Sequence, residues 1–223
     1  MARTTRTDRR VPRLTQAERS LLSERRLLEA AVRVMCERGY EDTTLAAIGA
    51  AAGYSRGLAT HRFGAKTDLF AAVMRAVTRN FYARLEQGGA GRAGVEALLA
   101  FVDTHRQLAH EEPDAMRAML VLWLQSLISR SRMREAALQD LLGHRDWVQG
   151  AIERGQAAGS IRADVDAHAE AVQFCGTLFG LTLQWLIDPF GADLERTLTR
   201  FRQRVTDELR PLTTSRRAGG SRR

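Results

Sequence analysis

Residues 43–66 read TTLAAIGAAAGYSRGLATHRFGAK, and the punctuation of this stretch decides the fold. Thr43 and Thr44 carry hydroxyls suited to capping the free amides of a helix that continues through Leu45, Ile48 and Ala52 and stops at Gly53. Ser55 offers another N-cap two residues later, so a further helix must start at once and turn sharply against the one before it. Small side chains at Ala47, Ala50 and Ala51 allow the two helices to approach closely. The stretch reads as a helix-turn-helix whose second helix presents its N-terminal residues outward.

Upstream, Leu28, Ala31, Val32 and Met35 share one helical face, which predicts a helix from roughly Gln16 to Arg38, ended by Gly39 in a left-handed conformation. Downstream, Phe70, Val73, Met74, Val77 and Phe81 fall on one face of a long helix beginning near Lys66. Gly88, Gly89, Gly91 and Gly94 interrupt helicity and read as a linker between domains. No Gly-Lys-Ser/Thr follows, so this is no phosphate loop. Further helices are expected at about 92–110, 113–130, 132–158, 165–188 and 191–210. Their boundaries lie at Pro113, the basic stretch around Arg130 and Arg132, Gly159 and Pro189, with Asp166 as a cap and Pro211 as the final stop. The expected fold is all-α, a three-helix head joined through a long helix to an antiparallel helical bundle. Its units are a basic arm (1–15), the head (16–65), a helical body (66–210) and a basic tail (211–223).

The net charge of +8 sits at the two ends. Residues 1–26 carry eight arginines against Asp8, Glu18 and Glu24, and the tail adds four arginines and no acid, which leaves the intervening chain close to neutral. A localised positive field attracts phosphate, and the N-terminal arm runs straight into the helix-turn-helix, where it can reach phosphates or a minor groove. The expected partner is therefore double-stranded DNA. Two distant cysteines, Cys36 and Cys175, match the usage of a reducing compartment. No apolar N-terminal run is present, and the uncharged stretch 171–187 contains Gln173, Thr177, Thr182 and Gln184, so it reads as a buried helix rather than a membrane span. The expectation is a cytoplasmic protein with no membrane association.

At this point the chain resembles the TetR family of bacterial transcriptional regulators. The resemblance rests on Ala30-Ala31, Gly39, Thr43 or Thr44, Ile48-Gly49, Ala52-Gly53-Tyr54-Ser55-Arg56-Gly57, Phe63 and Lys66. The run Gly159–Asp166 and the stretch from Gly180-Leu181 to Asp188-Pro189 are also similar to the family. It implies a dimeric, ligand-responsive repressor. Where the family places Tyr and His before the Phe, this chain has Thr60 and Arg62, and the usual serine cap before the Lys is Ala65.

Within the head, Tyr54, Ser55, Arg56, Gly57, Thr60 and His61 lie at the start or exposed side of the recognition helix. Arg56 suits a bidentate contact to a guanine edge or a contact to phosphate. Thr43 and Thr44 are placed to donate to a phosphate or to cap. Lys66, beside a positive helix end, fits a phosphate ligand better than a structural charge, and Arg62 is the cation expected to rebuild the backbone contact. Leu45, Ile48, Leu58 and Phe63 form the small core.

In the body, the helix over 171–187 is apolar on several faces and needs cover on all sides. Phe174, Leu178, Leu181 and Trp185, with the stripe Leu194, Leu198, Phe201 and Val205, are expected to form a two-fold four-helix interface, as the resemblance also implies. Phe101, His105, Met116, Met119, Leu120, Trp123 and Gln173 are the expected walls of an effector pocket. No cofactor is implied, and His105 and His110, pointing about 140° apart on one helix, cannot chelate a metal together. Gly53-Tyr54-Ser55-Arg56-Gly57 also satisfies the nucleophile elbow of serine hydrolases, but the Ala-rich segment before it lacks the strand that chemistry requires.

Overall fold

The computed structural model describes residues 15–89, 91–128 and 132–211; the basic arm up to Leu14, Arg130 and the tail from Leu212 onward lie outside them. Among the described residues the chain forms nine helices: α1 Gln16–Arg38, α2 Leu45–Ala51, α3 Arg56–Phe63, α4 Lys66–Gly89, α5 Gly94–Glu111, α6 Pro113–Ile128, α7 Arg132–Ala157, α8 Ala167–Ile187 and α9 Leu194–Leu209. None of them is long and apolar enough to cross a membrane.

Local chemistry sets the ends. Thr15 and Glu18 make a reciprocal capping box at the start of α1: the Thr15 hydroxyl accepts the Glu18 amide at 3.2 Å and the Glu18 carboxylate accepts the Thr15 amide at 2.6 Å. Gly39 ends α1 at φ 82° and ψ 166°, outside the left-handed helical well and in a region that only glycine occupies readily. Asp166 caps α8 through the amides of His168 and Ala169, and Asp193 does the same for α9 through Arg196. The Asp193 cap was hidden in sequence by the Pro189-Phe190-Gly191 turn before it.

Two apolar cores share α4. Its first half, with Leu69, Phe70, Val73 and Met74, packs against Leu27, Ala31 and Met35 of α1, Ile48, and Met119, Leu122 and Met133 of α6 and α7. Its second half, with Phe81 and Leu85, joins Leu98, Phe101, Val148, Ile152, Phe174, Leu178 and the stripe of α9. α1 rests on both α4 and α6, so the head is seated on the body by two helices.

The glycine-rich segment does not separate two bodies. Gly88 and Gly89 are helical, and α4 and α5 pack side by side across the turn. Gly94 is required for a different reason: at φ +57° it lies against Gly155 of α7, and a Cβ there would come within 2.4 Å of Ser160 Oγ. Gly94→Ala combines backbone strain with overpacking and is expected to cost roughly 2–4 kcal/mol, a fall of roughly 5–15 °C in the thermal midpoint. Gly143→Ala, a mid-helix site where the nearest atom to the new Cβ is 3.8 Å away, should be neutral or stabilising in the same thermal scan.

Candidate DNA-reading face and effector cavity

The recognition unit is built on one close contact. A Cβ on buried Gly49 would lie 2.8 Å from the Ser55 carbonyl, so Gly49 makes the close approach expected of Ala47, Ala50 and Ala51, of which the last two are exposed. Gly53 turns the chain at φ +77°, and the Tyr54 amide donates back to the Gly49 carbonyl at 2.9 Å. Thr44 caps α2, its hydroxyl accepting the Ala47 amide at 3.1 Å. Ser55 occupies the N-cap position of α3 in extended geometry, yet its hydroxyl makes no capping bond. Its side chain is exposed, as are Arg56, Gly57, Thr60 and His61, and Tyr54 is half-buried beside them. Arg56 has no ion-pair partner among the described residues.

Three expected DNA ligands are committed elsewhere. Thr43 is fully buried and donates to the Gly39 carbonyl at 2.7 Å, which holds the end of α1 and keeps the hydroxyl from any phosphate. Arg62 straps α3 to α1 through Glu24 at 3.0 Å, Ser20 at 2.8 Å and Ser23 at 3.1 Å. Lys66 donates to the carbonyls of Tyr40 at 2.9 Å and Glu41 at 3.1 Å and sits 4.3 Å over the Tyr40 ring, so it is a structural charge here. Carbonyls just past a helix lack intrahelical donors, and the nearest cation takes them.

In the body, α4–α8 enclose a cavity of about 50 Å³. Of the expected pocket residues, His105, Met116, Met119, Leu120 and Trp123 line it. Phe101 lies behind, packed among the rings of Phe81, His144, Trp147 and Phe174, and Gln173 points outward from α8. Sequence reasoning missed Thr78, Phe81, Asp140, His144, Phe179 and Thr182, contributed by helices whose neighbours only packing reveals. The rings of Trp123 and Phe179 meet edge to face at 4.3 Å.

Two polar ties cross this cavity. Thr182 spends its proton on the Leu178 carbonyl at 2.9 Å, so His105 Nε2–H donates to it at 2.6 Å. Asp140 accepts the Trp123 indole N–H at 3.0 Å, and its other oxygen meets the Thr78 hydroxyl, whose one proton is shared between that carboxylate and the Met74 carbonyl 2.9 Å away. His144 Nδ1–H donates to the Asp140 backbone carbonyl at 2.8 Å and lies 3.6 Å from the carboxylate. No Lys or Arg among the described residues pairs with Asp140, and burial pushes its carboxyl up despite His144, Thr78 and Trp123. A larger groove of about 900 Å³ runs between α1, α4 and the α5–α6 junction, and several of its charges pair with one another, Arg84 with Glu111 and Glu112 and Arg25 with Glu29.

The expected dimer residues lie largely inside one chain. Phe174, Leu178, Leu194, Leu198, Phe201 and Val205 are buried, because the stripe of α9 is covered by α5 and α8 of its own subunit; Leu181 and Trp185 are half-buried. The outward face of α8 is instead Gln173, Gly176, Gln184 and Ile187.

Burial, reinforced by His144, draws the His105 pKa from 6.5 down to about 4. Between those values the unfolded chain takes up a proton that the fold refuses, so this contribution is intact above pH 6.5 and lost as pH falls toward 4. Going from pH 7 to 5 should remove about 2 kcal/mol in urea unfolding. Asp140, shifted upward, acts in the opposite sense, so the readout is the difference from His105→Gln, which keeps a donor toward Thr182 and should lack that loss.

Residues 27–73 match the family of bacterial regulatory proteins of the tetR type, and residues 94–215 match the C-terminal family of BetI-type transcriptional repressors. The HTH-type transcriptional regulator BetI of Brucella suis biovar 1 (strain 1330) is 36% identical over 94 residues, covering 40% of this chain and 48% of that protein. The chain thus spans about half the length of the curated relatives it matches. A TetR transcriptional regulator from Chloroflexus aurantiacus J-10-FL superposes with a TM-score of 0.75 at 24% identity over 86% of this chain and 98% of that one. A putative transcriptional regulator from Saccharomonospora viridis, solved in complex with choline, gives 0.75 at 21% identity over 85% and 98%. With a helix-turn-helix head and a BetI-type body each matched in its own place, the chain belongs to the TetR family of bacterial transcriptional regulators, DNA-binding proteins rather than enzymes.

Proposed function

We propose that the chain is a cytoplasmic repressor that binds a palindromic operator as a homodimer and is released by a small organic cation held in the cavity of the body. The observation that carries the DNA half is the division of labour on α3. Ser55, Arg56, Gly57, Thr60 and His61 face solvent, while Ala59, Arg62 and Phe63 are spent on the fold. Arg56, uncommitted at the start of the helix, is the base-reading residue in this assignment, with Thr44, Ser55 and the arm as backbone contacts.

The effector half rests on cavity chemistry. An ammonium group is favoured by the faces of aromatic rings and by a desolvated carboxylate. Phe81, Trp123 and Phe179 supply the rings and Asp140 supplies the charge. The choline complex of the Saccharomonospora viridis protein supports the same class of ligand. For the dimer, the outward face of α8 is the natural contact, since there is open space where a Cβ on Gly176 or Gly180 would point and a partner helix could approach closely. Two heads related by a two-fold axis would read half-sites about 34–36 Å apart.

Selection from random duplexes with the full-length chain tests the first half and should return inverted repeats. Arg56→Ala should then relax preference at one base pair of each half-site by roughly 1–3 kcal/mol; a uniform loss over all sequences would make Arg56 a phosphate contact instead. Calorimetric titration with choline tests the second half: binding is expected, with Asp140→Asn weakening it at least tenfold, and an equal affinity for the uncharged isostere 3,3-dimethylbutan-1-ol would sink the cation reading.

A further inference from the structure

The Asp140 carboxylate sits where the helices that carry the head meet. It projects from α7, only 5% exposed, and its two oxygens hold two different helices, Thr78 of α4 through one and Trp123 of α6 through the other. α4 and α6 are also the two body helices on which α1 is seated, and the start of α6 is tied to α1 directly, Cys36 Sγ lying 3.5 Å from the Asp114 carbonyl oxygen. One buried acid thus clamps both supports of the DNA-reading head.

The cavity beside it, about 50 Å³, is about a third of the roughly 150 Å³ with which an engineered apolar cavity holds benzene. An organic cation therefore enters only if a wall yields. Four of the lining residues, Met116, Met119, Leu120 and Trp123, belong to α6, and unbranched methionines deform most readily. A ligand moves an equilibrium only through a difference in its affinity for the two states. Here that difference has a source: with the head seated, the carboxylate is already occupied by Thr78 and Trp123, whereas a cation needs those same oxygens.

We propose that Asp140 is the coupling residue of the regulator, and that effector binding exchanges its bonds to Thr78 and Trp123 for the bound cation, unclamping α4 from α6 and releasing the head. This rests on the cavity being the effector site. Thr78 is a positioning residue in this scheme, holding the seated state without touching DNA, whereas Trp123 holds it through its indole N–H and also offers its ring to the cation, a face that Trp123→Phe retains. Weakening the clamp shifts population from the seated to the released state, so it must weaken DNA binding and strengthen cation binding, each in proportion to the change in population of the state it selects.

The test measures affinity for the selected duplex by fluorescence anisotropy and for choline by calorimetry, on full-length wild type, Thr78→Val, Thr78→Ser and Trp123→Phe. Thr78→Val and Trp123→Phe should each lower duplex affinity about five- to tenfold without ligand and raise choline affinity. Thr78→Ser, which restores the hydroxyl, should stay near wild type in both. Hydrogen exchange should quicken in the two losing variants where α1 meets α4 and α6. Unchanged duplex affinity in both variants, or parallel loss of duplex and choline binding, overturns the clamp. If wild type binds duplex but no choline, the cation reading fails by itself, and the duplex and exchange measurements still decide whether Asp140 seats the head.

Discussion

The apolar stripe of α4 is the constraint on which the rest of the molecule depends. Leu69, Phe70, Val73 and Met74 complete the core of the head, and Phe81 and Leu85, on the same helix, complete the core of the body. A helix is stiff along its length, so a stripe buried in two cores makes the orientation of the head a consequence of how the body packs. The recognition helix is held to this frame by its own polar straps, Arg62 to α1 and Lys66 to the carbonyls beyond α1. These bonds use cations that would otherwise be free to meet phosphate. What α3 leaves exposed is a narrow face, Ser55 to Gly57 with Thr60 and His61.

The second organising feature is the placing of polar groups in an otherwise aromatic interior. Desolvating a carboxylate is costly unless its oxygens find partners, and Asp140 has the Trp123 indole N–H, the Thr78 hydroxyl and the His144 ring around it, with no Lys or Arg among the described residues paired to it. His105 is handled in the opposite way, kept neutral with its N–H donated to Thr182. The cavity therefore carries a buried acid next to aromatic faces, and its small volume makes filling it a structural event. Sensing and movement become the same step when the group that would recognise the ligand is also a fastener between helices.

Local signals in the sequence were sufficient for the elements. Gly39, Gly53, Pro113, Asp166 and Pro211 punctuate the chain by backbone and capping chemistry, and such signals act over a few residues whatever the surroundings. The face of α3 was legible for the same reason, since exposure on a short helix follows from its apolar residues. Partners distant in sequence were not legible. Arg62 and Lys66 read as phosphate ligands because their acceptors, on α1 and just past its end, lie 25 to 42 positions away. Gly88–Gly94 read as a linker because the contact of Gly94 with Gly155 and Ser160 has no trace in the local pattern.

The stripe on α9 shows the same limit most clearly. Periodicity established that Leu194, Leu198, Phe201 and Val205 share a face, and they do. Whether that face meets another subunit or the chain's own α5 and α8 is a matter of which surface lies opposite, and periodicity carries no such information. By itself the sequence determined an all-helical chain with a DNA-reading head, because helix caps, glycine turns and apolar spacing are local chemistry. Only the tertiary structure decided which cations are free, which apolar face is covered, and that Thr78, Trp123 and Asp140 converge, because those depend on side chains brought together from helices far apart in the chain.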